Sequence, residues 1–376
     1  MVCFIIGLVT SEQFISLPYF TTIIDISSFT VATIPLSRQS SALLWIPLVL
    51  SISRAIHRSM SVAATVTSSK YRFVDIGANL LNERYILGEY RGSHRHDPDF
   101  DDVLQRAAAI GMRHIILTAG TVQESKDALA KVRQLRAAST TDSCQVYCTI
   151  GVHPTRSNEL EDDGEVKLQE LINLAKDGMT DGVVASVGEM GLDYDRLDFS
   201  SKEIQLKWIR KQLRLAHETG LPLFLHNRNV STDLYDILLE QRDQWTSGVV
   251  HSFDDTLELA KKFIDLGLYI GLNGCSLRSK ESLAVVKDLP LDRILMETDC
   301  PYCDVKRTHA GYHYVKTLFE SRQEKKFEKG FQVKGRNEPC NIIQVAEVIA
   351  GCKGVHVSDV IDACYRNSLQ LYGWEE

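Results

Sequence analysis

The stretch VVASVGEMGLDYDR, residues 183–196, decides the fold. It opens as a short run of small and β-branched residues, the composition of a buried strand, and delivers a carboxylate, Glu189, at its carboxyl end. Seven other runs share that form: RFVDIG from residue 72, HIILTA from 114, VYCTIG from 146, PLFLH from 222, GVVHS from 248, LYIGL from 268 and RILMET from 293. Amphipathic helical stretches separate them, as in βα units around a parallel sheet. The eight starts are spaced by about 32 residues on average, close to the roughly 250 residues shared among eight units of a (β/α)8 barrel. The expected fold is therefore α/β, a (β/α)8 TIM-type barrel over residues 71–376. An open doubly wound sheet would usually have fewer strands and a glycine-rich first turn.

The intervening helices carry their own signals. Ser200 with Glu203 reads as a capping box ahead of Ile204, Trp208, Leu213 and Ala216, and Gly220 with Pro222 ends that helix. Asp254 is placed to cap a helix carrying Leu257, Ala260 and Ile264. Between Pro301 and Asn341 runs a long excursion rich in Lys, Arg, His and Gly; loops of that length usually serve a site.

Composition narrows the functional classes. The chain has 376 residues, 44% of them hydrophobic, enough to bury a large core, and a formal net charge of −7. With no overall cationic field, a nucleic-acid partner has to be held by a local basic or metal-bearing cleft. Nine scattered cysteines fit free thiols better than a secreted disulfide framework. Cys144 and Cys148 lie four apart beside a strand, and Cys300 with Cys303 forms a CPYC, but no second CxxC completes a zinc site. Residues 1–70 read as a disordered N-terminal extension outside the fold. They hold two acidic residues, Glu12 and Asp25, against Arg38, Arg54, Arg58 and Lys70, a bias that resembles a targeting leader. The apolar run at 42–52, broken by Pro47, is too short to span a bilayer. Met60 offers a second plausible start. The expected compartment is the cytoplasm or nucleus if translation begins there, and a mitochondrion or plastid if the extension is a leader.

Function in a parallel barrel gathers at the carboxyl ends of the strands. Here those ends read Asp75 to Asn79, His153, Glu189, His226, His251, Asn273 and Asp299. Any one alone is weak evidence, yet imidazoles and carboxylates delivered by separate strands to one face form a donor set for a divalent cation. Glu189 could bridge two cations, His226 and His251 hold one, and Asp299 hold another or orient the attacking water. Arg228, two residues past His226, could fork a phosphate.

As an ordered set, DIGANL at 75–80, IGVHP at 150–154, VGEMGLDYDR at 187–196, PLFLHNRN at 222–229, GVVHSF at 248–253, YIGLNG at 269–274, METDCPY at 296–302 and GRNEP at 335–339 resemble the TatD family of metal-dependent deoxyribonucleases, within the amidohydrolase-like barrels. The resemblance covers about residues 71–374. It implies divalent-metal dependence and hydrolysis of DNA, as a 3′-to-5′ exonuclease on single-stranded ends. By motif position it assigns metal binding to Glu189, His226, His251 and Asp299, places His153 beside the metals as a catalytic residue with Glu189 and Asp299, and gives substrate contacts to Arg228, Arg336 and Asn79. Many relatives carry a His-x-His pair on the first strand where this chain has Gly77 and Asn79, so the subgroup implied is that of TatD itself and its eukaryotic counterparts. The first metal position is then expected to be oxygen-dominated and to suit Mg2+, with Mn2+ or Zn2+ as alternatives and one or two ions bound. Lys306, Arg307, His309, Lys325, Lys326 and Lys334 in the long loop could track a strand's phosphates. Two other functions stay open at this level: a metal-dependent hydrolase of a small amide, lactone or phosphoester, and a degenerate barrel acting as a binding module.

Overall fold

The computed structural model describes residues 20–25, 30–35, 71–138 and 144–375. Eight parallel strands follow one another around a single sheet in sequence order: β1 (Phe73–Ala78), β2 (Met112–Leu117), β3 (Gln145–Ile150), β4 (Val184–Asp193), β5 (Leu223–Arg228), β6 (Gly248–His251), β7 (Tyr269–Leu272) and β8 (Ile294–Met296). The edges meet at their carboxyl ends. Ala78 bridges Cys300, the Asn79 amide donates to the Cys300 carbonyl at 2.8 Å, and the Asp299 amide donates to the Gly77 carbonyl at 2.8 Å. Closure thus occurs where the loops gather, which ties the end of the first strand to the end of the last. The eight expected runs coincide with the eight strands.

Long helices alternate with the strands: α1 (Phe100–Ala109), α2 (Val122–Ala138), α3 (Gly164–Thr180), α4 (Lys202–Thr219), α5 (Asp233–Glu240), α6 (Leu257–Asp265), α7 (Lys280–Asp288), α8 (Ile342–Lys353) and α9 (Val357–Tyr372). The strands are sealed on both faces. Val74, Ile76, Ile116, Phe224, Val249, Tyr269 and Leu295 fill one apolar cluster with Tyr365, Leu369 and Leu371 of α9, while their neighbours along the strands join the larger core shared with the other helices. Each such buried aliphatic or aromatic side chain contributes about 1.5–3 kcal/mol.

Two caps differ from the sequence expectation. In α4 the cap is Ser201, whose hydroxyl accepts the Ile204 amide, because Ser200 is drawn into the wall with its carbonyl bound by Gln205 Nε2 at 2.9 Å. In α6 the cap is Thr256, which accepts the Leu259 amide at 3.2 Å; Asp254 instead pairs with Arg278 at 2.9 Å. Within residues 1–70, the strands Phe20–Asp25 and Thr30–Pro35 pair antiparallel. The remainder of that segment, and with it most of the expected disordered extension, lies outside the described residues. The described residues from 71 onward cluster as one compact unit. Among the described residues no helix is long and apolar enough to cross a membrane.

Candidate metal centre and its rim

Glu189 reaches the carboxyl face on a stretch of β4 whose backbone requires glycine at two nearby positions. Gly188 (φ 138°) and Gly191 (φ 150°) flank it, and a Cβ on either would stand 2.2 Å from the Phe224 carbonyl oxygen or 2.0 Å from that of His226. Only glycine fits at both. The carboxylate that results is ringed by imidazoles: its Oε1 lies 2.7 Å from His251 Nε2, 2.9 Å from His226 Nδ1 and 3.3 Å from His153 Nε2.

The outer partner of each ring sets which nitrogen carries the proton. His251 Nδ1 faces Glu297 Oε2 at 3.5 Å, and His226 Nε2 faces Asp193 Oδ2 at 3.2 Å. With a cation bound among them, the outer carboxylates would hold the proton of each ring and leave the inner nitrogens, His251 Nε2 and His226 Nδ1, free to act as ligands. His153 is set the other way: its Nδ1 accepts the Thr155 amide at 3.1 Å, so in the neutral ring the proton sits on Nε2, aimed at Glu189. It is placed as a hydrogen-bond donor beside the centre. The outer carboxylates are themselves fixed. Glu297 Oε1 accepts from the Ser252 amide and from Asn273 Nδ2 at 3.1 Å, and the backbone of Asp193 is held on both sides by Gln205.

Electrostatics favour a cation here. Burial works against the charged form of Glu189, yet the facing His251 and His153 rings hold its carboxyl well below the usual range. Burial likewise opposes charge on His251, but Glu189 and Glu297 raise its pKa well above the ordinary imidazole value. Two buried carboxylates thus pull positive charge onto one spot, and a divalent ion among Glu189, His226 and His251, whose ligand atoms lie within 4.8 Å of one another, is the chemistry that supplies it. A second grouping, His153, Asp193 and His226, shares one histidine with the first.

Asp299 lines the same cavity but belongs to neither grouping. Its oxygens are engaged by Asn79 Nδ2 at 2.8 Å and by the Cys303 thiol at 3.1 Å, and burial pushes its pKa up to about 6. Asn79 is occupied on both sides, since its Oδ1 accepts from the Thr118 hydroxyl at 2.6 Å. It holds Asp299 in place and is not free to grip substrate. Asp75 and Asn273 are turned inward: Asp75 binds the Thr298 amide and hydroxyl, and Asn273 binds Ser252 and Glu297. The CPYC does not pair on itself, because Cys300 is buried in the wall while Cys303 faces Asp299 beside Cys275.

The cavity above these groups measures about 510 Å3. Arg228 lines it, with no carboxylate within ion-pair distance among the described residues, although Asp254 and Asp193 stand near enough to favour its charge. Arg156 and Arg196 line it as well, and the sequence reading missed both. Arg156 lies two residues past the IGVHP motif and Arg196 is the last residue of VGEMGLDYDR, the signals that could have found them. Arg336 is elsewhere. It is 2% exposed, forked onto Asp99 by two bonds of 2.6 Å and bound to Glu338 at 2.9 Å, with its guanidinium over the Tyr85 ring. The expectation of a substrate contact is corrected: the GRNEP segment is a buried clasp that joins α1 to the long loop. The loop's other cations do not line the cavity either. The loop is pinned by Glu347, which accepts the Lys316 and Thr317 amides, and by Phe327 stacked on His96 at 4.3 Å.

A closed parallel barrel with His, Glu and Asp side chains converging on its carboxyl face defines a metal-dependent hydrolase of the amidohydrolase type. A family model described as TatD related DNase matches residues 74–373, and the chain belongs to the TatD family. It is 37% identical over 309 residues to Deoxyribonuclease Tat-D of Schizosaccharomyces pombe, a match covering 80% of this chain and 95% of that one. It is 32% identical over 231 residues to the 3'-5' ssDNA/RNA exonuclease TatD of Cronobacter sakazakii, covering 61% of this chain and 78% of that one. Among solved structures, a hydrolase TatD family protein from Entamoeba histolytica matches with a TM-score of 0.76 at 38% identity, covering 82% of this chain and all of that one (100%).

Proposed function

We propose that this protein is a divalent-metal-dependent deoxyribonuclease that hydrolyses phosphodiester bonds from the 3′ end of single-stranded DNA. The observation that carries the reading is the pairing of an imidazole and carboxylate centre with three cavity-lining arginines, Arg156, Arg196 and Arg228. Neutral amides and lactones have no use for such a rim, whereas a phosphodiester does.

Glu189, His226 and His251 hold the ion, and Asp299 supplies oxygen donors to a second position. The imidazole set suits Mn2+ or Zn2+, and the oxygen donors of Glu189 and Asp299 suit Mg2+. When bound, the cation polarises a phosphoryl oxygen and acidifies water. The protein's own groups do the rest. Arg228, Arg156 and Arg196 orient the phosphate, and the His153 Nε2 proton is available to an oxygen that gains charge during displacement. Asp299, which lines the cavity beside Glu189, is placed to accept a proton from the attacking water.

Chelation followed by separate add-back of Mg2+, Mn2+ and Zn2+, using single-stranded DNA labelled at its 5′ end, tests the proposal. Activity should vanish on chelation and return with metal as a ladder of progressively shortened labelled products. Full activity after exhaustive chelation, or turnover confined to neutral esters and lactones, overturns it.

A further inference from the structure

Fifteen residues line the cavity, and apart from the histidines of the centre Tyr302 is the one aromatic among them. It is 48% exposed, yet it is fixed on several sides. Its amide bonds the Asp299 carbonyl at 3.0 Å, its carbonyl accepts from Asn337 Nδ2 at 2.8 Å, and its hydroxyl accepts from Asn82 Nδ2 at 3.3 Å. The Arg84 guanidinium stands over the ring at 5.5 Å. The supports are themselves anchored. Asn82 caps the short helix Glu83–Ile86 through the Arg84 amide, and the Arg84 carbonyl is bound by Arg336 of the clasp at 3.0 Å. These bonds fix the ring while leaving it open at the mouth of an arginine-lined cavity.

We infer that Tyr302 is the platform on which the unpaired terminal base of the nucleic-acid substrate stacks, and so a substrate-positioning residue of this enzyme. The inference rests on the proposed nuclease function and gives it a selectivity. A single ring reads no hydrogen-bond pattern, and every base has a π face, so the platform requires a base without choosing which. A base in a duplex is stacked and paired, so it has to be released first. Preference for single-stranded or frayed ends follows from the same residue. The 510 Å3 cavity agrees, since pockets of about 300–1,000 Å3 take ligands of mononucleotide size and not a double helix.

The test uses the full chain with metal, the variants Tyr302→Ala, Tyr302→Leu and Tyr302→Phe, and single-stranded oligonucleotides ending in a normal base, an abasic residue or 2-aminopurine. Tyr302→Ala and Tyr302→Leu should each raise KM about tenfold with kcat nearly unchanged, and Tyr302→Phe should behave as wild type. The abasic end should raise the wild-type KM by a similar factor and add nothing further in Tyr302→Ala. The 2-aminopurine fluorescence should be quenched on binding to wild type and to Tyr302→Phe, but not to Tyr302→Ala. Cleavage by wild type with an equal abasic penalty in every variant, or no quench on wild-type binding, overturns the platform. Quenched binding without any cleavage upholds the platform and defeats the nuclease reading.

Discussion

Two buried charge clusters lie within this barrel and obey opposite rules. In the clasp, Arg336 and Arg106 face Asp99 and Glu338, two cations against two anions, with Arg106 forked onto Glu338 at 2.7 and 3.1 Å. Charge is balanced within the protein. On the floor of the cavity, Glu189, Glu297 and Asp193 face the imidazoles of His153, His226 and His251, and His251 Nδ1 meets Glu297 Oε2 only at 3.5 Å, too long for a hydrogen bond. Balance there needs something from outside. A closed set of charges is part of the fold, and an open set is a binding site.

Substitutions can break this contrast. The largest effect is expected for Glu189→Ala, which removes the carboxylate that the imidazoles converge on: kcat should fall by about 10³-fold or more, with the circular-dichroism spectrum and melting transition retained. A variant with nearly wild-type turnover would show that the floor is not the reactive centre. Next comes Arg336→Ala, which leaves the buried Asp99 with only the 3.5 Å contact to Arg106 while Glu338 keeps its fork, and should cost about 3 kcal/mol of stability, read as a lowered denaturant midpoint, while KM of the remaining folded enzyme changes little. A raised KM at unchanged stability would move Arg336 back to the substrate. The smallest effect is expected for Arg228→Ala. With no ion pair to lose, it should leave the melting temperature alone, raise KM about tenfold and flatten the salt dependence of KM.

Arg228 and Arg336 also show how far the sequence can be read. Both lie in motifs of the resemblance, and both were expected to meet phosphate. Arg228 is the last residue of a strand in a parallel sheet, so its place at the carboxyl face could be inferred. Arg336 sits in an irregular segment, where nothing local says which of Asp99, Glu338 or a substrate it will meet; its partner Asp99 is 237 residues away. The same limit hid Asp193 and Glu297, which stand behind His226 and His251. It hid Arg156, Arg196 and Tyr302 as well, since each becomes meaningful only once loops from different strands share one cavity.

The sequence by itself determined the eight strands, their parallel order and the four carboxyl-end side chains Glu189, His226, His251 and Asp299, because the short β-branched runs and the residues that end them are local properties of the chain. Tertiary structure alone decided which imidazole nitrogen is presented, that Asp299 stands apart with Asn79 and Cys303, and which buried charges are already paired. Those outcomes depend on contacts between residues far apart in sequence, whose hydrogen bonds and electrostatics are set only when the barrel closes.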